Sequence, residues 1–537
     1  MLVLAVLGLL AMASLAIPIS HAFKPSIPRA WVIALSATTI AWLIMLISRL
    51  FLPTEVKLLN WSPSELFQGQ LNLVLDYQSW PYALALITLC LATIFTDTTR
   101  ANLSKTPFSW AGSMAIALIN IIAVLAANPL TVAFAWALVD LVELIYLFSL
   151  RTEEKNNQNL VSEFTIRLLS VLTLVAATVV GWRMLPNFNL HGIPANATWI
   201  FLLAASLRLG IFQIRQPILP MTEVHQGITV FLRFAPAASA LVLISHLDAL
   251  PETLGSPWLG IANNVTMMVA LYSSLMFATR PNKIQSRPYW IVALSAFSVL
   301  CAINGAALTS RVWGLALLLS GAMLYLFEPA VRRIRFLPLL GLIGLVGLPF
   351  TLSASGWDGL IGMTLKPSLA IMIISHALLL GGYLRYIFEA NTTITALEKH
   401  ARITFPLGLV FILQTILLLG IVGWPGVLTL GSWWAPAISL GLVGLIILVF
   451  FRLGLKLPFT NLEQRLPLYR LLQVALTWIE NFFSFNWIYS SLEFFTRQIG
   501  RVTNAITILI EGEGGVLWSL IFLIALTAIF VSGVQLP

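Results

Sequence analysis

The sequence predicts an all-α polytopic membrane protein of about sixteen transmembrane helices, with two broken helices and an interfacial helical segment near the C-terminus. Three observations carry that expectation. Hydrophobic residues make up 59% and charged residues only 9% of the 537 positions, far from the balance of a soluble domain. Apolar runs of roughly 18 to 23 residues recur along the whole chain, each long enough to cross about 30 Å of hydrocarbon. The loops between those runs alternate between many and few Lys and Arg, as the positive-inside rule requires.

Taken in order, the first span, near 2–22, has no Lys or Arg before it. A secretory signal needs that charge, so this is read as a retained helix. Spans follow near 29–51, 79–97, 109–127, 129–149, 166–185, 196–216, 227–247, 260–279, 287–305, 312–328, 336–354, 366–388, 404–424, 433–452 and 514–534. With both termini outside, the cytoplasmic loops carry Lys24 and Arg29, Arg100 and Lys105, Arg151 and Lys155, and Arg215. The same side continues with Arg280, Lys283 and Arg287, then Arg332, Arg333 and Arg335, then Lys399 and Arg402, then Arg452 and Lys456. The opposite loops hold only Lys57, Arg183, Arg311 and Lys366, and the stretch 247–259 has Asp248 and Glu252 but no cation. The net charge of +9 mostly reflects this bias, so it does not point to nucleic acid. The expected place is a cell (inner or plasma) membrane. Cys90 and Cys301 sit far apart inside apolar runs, which argues against a disulfide framework, a zinc site or an iron–sulfur cluster.

Two apolar stretches are interrupted. The first break runs from Gln213 through Pro217 to Pro220, the second from Gly347 through Pro349 to Gly356. A proline removes a backbone donor, and in lipid the freed groups need protein or trapped water as partners. Each break lies inside its own group of about five helices, and paired discontinuous helices mark an ion path in transporter repeats. The alternative is a pair of ordinary loops.

Between the last two spans, from Asn461 to Ile510, apolar and polar residues mix, and Trp478, Phe482, Phe483, Phe485, Trp487 and Tyr489 follow one another closely. That composition suits helices lying in the membrane interface. The alternative is a soluble helical loop.

Ionisable residues inside the spans are costly and therefore candidate functional groups. Asp140 and Glu143 lie three apart in the fifth span and share a helix face. Arg208 is placed mid-span in the seventh helix, and Arg233 lies in the eighth with His225 near its start. A helix-five carboxylate facing Arg208 forms an ion pair that sets a nearby proton affinity, or else a static structural pair. His376 marks the thirteenth span, either as a proton relay or as a hydrogen-bonded packing residue.

Several of these stretches together resemble the antiporter-like subunits of the complex I family. That family comprises chains L, M and N of bacterial NADH:quinone oxidoreductase, with relatives in membrane-bound group 4 hydrogenases and multisubunit sodium/proton antiporters. Leu73-Val74-Leu75-Asp76 before helix three, Ala127-Asn128-Pro129-Leu130 before helix five and the segment from Arg208 to Pro220 carry the resemblance. So do His225 at the start of helix eight and Gly347-Leu348-Pro349 at the twelfth. The lateral segment and the sixteenth span are most similar to chain L.

The resemblance implies three N-terminal helices (1–108), two inverted five-helix repeats (109–247 and 260–388) and helices fourteen and fifteen (389–452). The lateral segment (453–513) and a last span (514–537) complete the chain. It also implies a proton path from Asp140 or Glu143 through Arg208 to ionisable groups on helices eight and twelve; the candidates here are His225 and Arg233 on helix eight, Asp358 after the second break and His376 on the thirteenth span. The sequence departs from the family at three places. Arginine stands at 208 where the family has a lysine, and arginine stays protonated. Residues 317–324 lack the family's helix-eleven His and Lys, and Asp358 stands where relatives often carry Lys.

The expected function is therefore a proton-translocating membrane subunit of a redox-driven complex, partnered by sister antiporter-like chains and lipid. No dinucleotide glycine fingerprint, Walker loop or metal-ligand cluster is visible, so no cofactor and no catalytic residue is assigned. A non-pumping structural subunit and a free-standing cation/proton transporter remain the other two classes.

Overall fold

The computed structural model describes residues 1–23, 26–60, 70–97, 106–150, 157–185, 188–211, 226–247, 256–280, 283–327, 334–361, 367–388 and 401–452. Short pieces at 497–498, 501, 520–524 and 527 complete it. Residues 1–466 form one compact unit and 467–537 a second. The first break, His225, the lateral segment and most of the last span lie outside the described residues.

The chain is an all-α polytopic membrane protein. Ten of the described helices are long and apolar enough to cross a bilayer. The first two, α1 (Leu2–Phe23) and α2 (Ile27–Ser48), show what lipid as solvent does to sequence. In α2, Ala30, Ala34, Thr38 and Ala41 recur every three or four residues and are buried, while Val32, Leu43 and Ile47 are exposed. Small residues inside let backbones approach, and large apolar residues outside cost nothing in hydrocarbon.

After α2, β1 (Thr54–Asn60) and β2 (Gln70–Leu75) form an antiparallel hairpin. The all-α expectation left this segment as a loop, yet Leu71, Leu73 and Leu75 alternate with polar or smaller residues as a strand requires. Helix α3 (Ser79–Thr96) is buried along its entire length and packs against α2, α4 (Thr106–Leu125), α8 (Gln226–Ser245) and α17 (Ala401–Val422). The other long helices are α5 (Pro129–Leu150), α6 (Asn157–Trp182), α7 (Ala195–Arg208), α9 (Ser256–Thr279) and α10 (Lys283–Ile303); α5 and α7 pack on both α6 and α8, and α9 packs on α10. The remaining described elements are α11 (Ala307–Leu315), α12 (Gly321–Leu326), α13 (Phe336–Gly341), α14 (Ile343–Val346), α15 (Asp358–Ile361), α16 (Pro367–Phe388) and α18 (Trp434–Arg452).

Two helices differ from expectation. The seventh span, read as 196–216, is regular only to Arg208, so Arg208 is the last helical residue rather than a mid-span one. Gly210 has φ 73°, its N–H bonds to Leu207 O at 3.2 Å, and Ile211 N–H bonds to Ser206 O at 3.1 Å. That pair of bonds is a Schellman ending, which needs a left-handed residue. With 14 residues, α7 is about 21 Å long, short of a full crossing. Between α11 and α12 the chain makes a π-turn over Ala316–Ser320. The Leu317 carbonyl accepts the Trp290 indole N–H at 3.2 Å, and Ser320 Oγ donates to Gly341 O at 3.1 Å.

Candidate functional site: a buried charge pair at one helix end and a histidine at another

Arg208 leaves the C-terminal end of α7 and meets Asp140 on α5. Its two terminal nitrogens donate to the two carboxylate oxygens at 3.0 and 3.1 Å. This fork-to-fork pairing is the strongest geometry open to the two groups. The Arg208 side chain is 1% exposed and that of Asp140 3%. The guanidinium lies 4.5 Å from the centre of the Trp136 ring, one helical turn before Asp140. Trp136 is held in turn, its Nε1–H donating to Ser239 Oγ on α8 at 2.7 Å. Placing a cation at a helix C-terminus also favours it electrostatically.

Glu143 lies one turn further along α5, on the same face as Asp140, and is also buried. Its partner is Arg167 of α6, which donates to Glu143 and lies 3.8 Å from Asp140. Sequence reasoning missed Arg167. It lies near the start of the sixth span, where a cation reads as ordinary boundary charge. The result is a chain of alternating charge, Arg208–Asp140–Arg167–Glu143, running from α7 across α5 to α6. These four residues pair two acids with two arginines. Arg208 Nε is buried without an acceptor among the described residues. Arginine does not release a proton. A proton arriving here therefore lands on a carboxylate and breaks a pair.

The second break, like the end of α7, begins at a left-handed glycine. Helix α14 stops at Val346, and Gly347 follows with φ 77°. A Cβ on Gly347 would lie 2.5 Å from Trp357 Nε1, so space as well as φ requires glycine. The freed backbone is paired within the protein: Gly347 N–H bonds to Ser353 Oγ at 2.8 Å and Phe350 N–H to Thr429 O at 3.2 Å. Pro349 sits in the turn between them.

His376 of α16 reaches this break. It is wholly buried, against the rings of Trp313, Trp357 and Phe297. Nε2 lies 3.0 Å from Leu345 O, in the last turn of α14, and so covers one of the carbonyls the break exposes. Nδ1 lies 2.7 Å from Ser439 Oγ, which also lies 2.8 Å from Pro436 O. A hydroxyl has one proton. A neutral ring with its proton on Nε2 donates to Leu345 O and accepts from Ser439, so both nitrogens are satisfied.

The remaining candidates are not gathered here. Asp358 is exposed and accepts from Ser432 Oγ at 2.7 Å. Arg233 is half-buried on α8, close enough to the Tyr325 hydroxyl to interact electrostatically. His225, Pro217 and Pro220 lie outside the described residues. Among the described residues of 256–452, the buried polar groups are hydroxyls, Arg287, Arg385 and His376, with no carboxylate.

No protein-family profile and no curated protein sequence matches this sequence. Solved structures are similar in fold. A chain of the Mrp complex from Dietzia sp. DQ12-45-1b superposes with a TM-score of 0.68 at 14% identity, over 99% of this chain and 63% of that one. A chain of the membrane-bound sulfane sulfur reductase, an archaeal respiratory membrane complex, gives 0.66 at 13% identity, over 97% of this chain and 99% of that one. A chain of respiratory complex I from Thermus thermophilus gives 0.59 at 18% identity, over 83% and 100%. This chain therefore spans a little under two thirds of the Mrp chain's length. What the chain shares with these chains of membrane complexes is the fold.

Proposed function

We propose that this chain is a proton-translocating subunit of a redox-driven, multi-subunit membrane complex of the complex I type. The carrying observation is the buried Asp140–Arg208 pair at the end of the short helix α7. Protonating Asp140 removes the countercharge of an arginine that cannot itself discharge, so a proton on α5 and the position of Arg208 are linked. Glu143 and Arg167 extend that linkage by one further pair. The chains it is similar to belong to multi-subunit membrane complexes, which supports partners rather than a solitary transporter. In this reading residues 109–247 and 260–388 are the two inverted repeats, both termini face outside in a cell membrane, and redox cofactors reside in partner subunits.

A specific observation favours the second reading, a non-pumping structural subunit. Around the second break His376 and the thiol of Cys301 are buried, and no buried carboxylate accompanies them among the described residues. The two readings part on Asp140: a structural subunit tolerates its neutralisation once the fold is secured, and an ion-translocating one does not.

The test is native isolation from mild detergent, with partners identified by mass spectrometry. Redox subunits and sister antiporter-like chains are expected. A lone chain or a homo-oligomer overturns the proposal and makes an independent transporter the working account.

A further inference from the structure

Far from the charge chain, three residues that are distant in sequence converge. Asp76 ends the hairpin just before α3, His191 lies in the turn between α6 and α7, and His246 follows the last residue of α8. One ligand atom from each lies within 4.8 Å of the other two. Asp76 Oδ2 is 2.7 Å from His191 Nε2, and the two imidazole rings lie 4.7 Å apart, edge to face.

The three side chains rest on a braced platform. Asp76 Oδ1 is fully engaged, accepting from Gln78 N–H at 2.9 Å, Ser79 N–H at 2.7 Å and Ser79 Oγ at 2.8 Å. Oδ2 is thereby left directed at the histidines. The His191 turn is tied down by Leu190 N–H on Ala127 O at 2.9 Å, and Ala127 N–H bonds to Asn72 O of the hairpin at 2.9 Å. The hairpin, the loop before α5 and the α6–α7 turn are therefore one backbone-bonded unit, and the end of α8 abuts it through His246.

From this geometry we propose that Asp76, His191 and His246 form a binding site for a divalent zinc-like cation, with water completing a tetrahedron. Zinc at about 2.0–2.1 Å from each ligand places ligand atoms about 3.4 Å apart. The Asp76–His191 pair must open slightly and His246 close slightly to reach that spacing, both within side-chain motion. Two imidazoles and one carboxylate suit zinc or a neighbouring transition ion, whereas calcium and magnesium require more oxygen ligands. Asp76 is already oriented by its second oxygen, as metal-binding carboxylates are. His191 is 48% exposed, which leaves the site an entry path. The bound ion would clasp the hairpin, the α6–α7 turn and the end of α8 on one face of the domain, independently of ion translocation.

The probe is zinc itself, added to the full-length chain purified with a non-histidine affinity tag, stripped with chelator and held in detergent micelles. One tight zinc per chain is expected by calorimetry and by elemental analysis after desalting. His191→Ala and His246→Ala are each expected to weaken it by about 100-fold or more, since even outer-shell losses cost about 10–100-fold. Cobalt in the same site should give the intense visible bands of a tetrahedral ion, absent from both variants. If His246→Ala fails to fold, His191→Ala, altered at the exposed ligand, decides the question alone. No tight zinc in the parent chain, or unchanged binding in His191→Ala, overturns the proposal and leaves a hydrogen-bonded Asp–His pair beside a second histidine.

Discussion

Replacing Asp140 with asparagine tests the charge chain at its centre. The change keeps the shape and one acceptor oxygen but removes the charge. Arg208, 1% exposed, then has no solvent to turn to, and among the described residues the neighbouring Glu143 is already engaged by Arg167. Removing one partner of a buried pair costs about 3–5 kcal/mol, and the retained acceptor places this variant near 3. The double variant Asp140→Leu/Arg208→Met removes both charges and fills the space with apolar groups. Such replacements are often neutral or stabilising, so the double should recover most of the loss, a coupling of about 3 kcal/mol. The assay is reversible unfolding by SDS in mixed micelles, comparing the parent, both single variants and the double. A loss below about 1 kcal/mol for Asp140→Asn, the range of solvent-exposed pairs, refutes the reasoning. So does a double variant less stable than either single.

Four further outcomes follow from the same geometry. Gly210→Ala should cost about 1–2 kcal/mol in the same unfolding assay, the strain of a left-handed alanine at the end of α7. Gly347→Ala should cost distinctly more, because its Cβ also meets Trp357; equal losses would show that the break is not packed as described. His376→Phe leaves the Leu345 carbonyl without its donor and should cost about 1–3 kcal/mol, whereas a histidine serving only as an apolar filler would lose little. Arg208→Lys keeps the charge but loses the fork, so it should destabilise less than Arg208→Met and retain ion translocation.

Much of this was legible in the sequence because lipid is a demanding solvent. Apolar run length, charge scarcity and loop cations fix a polytopic helical protein without any tertiary knowledge. The polar residues that matter also stand out against an apolar background, and Asp140 and Arg208 do meet in the fold. Other features depend on contacts the sequence does not display. The end of α7 is set by Gly210, a single glycine that reads as unremarkable inside an apolar stretch. Arg167 is defined by its partner on α5, and the π-turn at Ala316–Ser320 by the indole of Trp290. The Asp76–His191–His246 cluster unites positions more than a hundred residues apart at its extremes, so no ligand spacing announces it. The hairpin's alternation was present in Leu71, Leu73 and Leu75 but short, and it lay in a segment treated as loop.

The most direct test of the central claim is the ratio of ions moved to electrons transferred in vesicles holding the complex purified through this chain, parent against Asp140→Asn. Electron transfer by the partner subunits serves as the internal control for assembly. Proton translocation through this chain predicts that the ratio falls in Asp140→Asn while electron transfer and subunit content persist. An unchanged ratio in a fully assembled complex would contradict it and leave the chain a structural subunit.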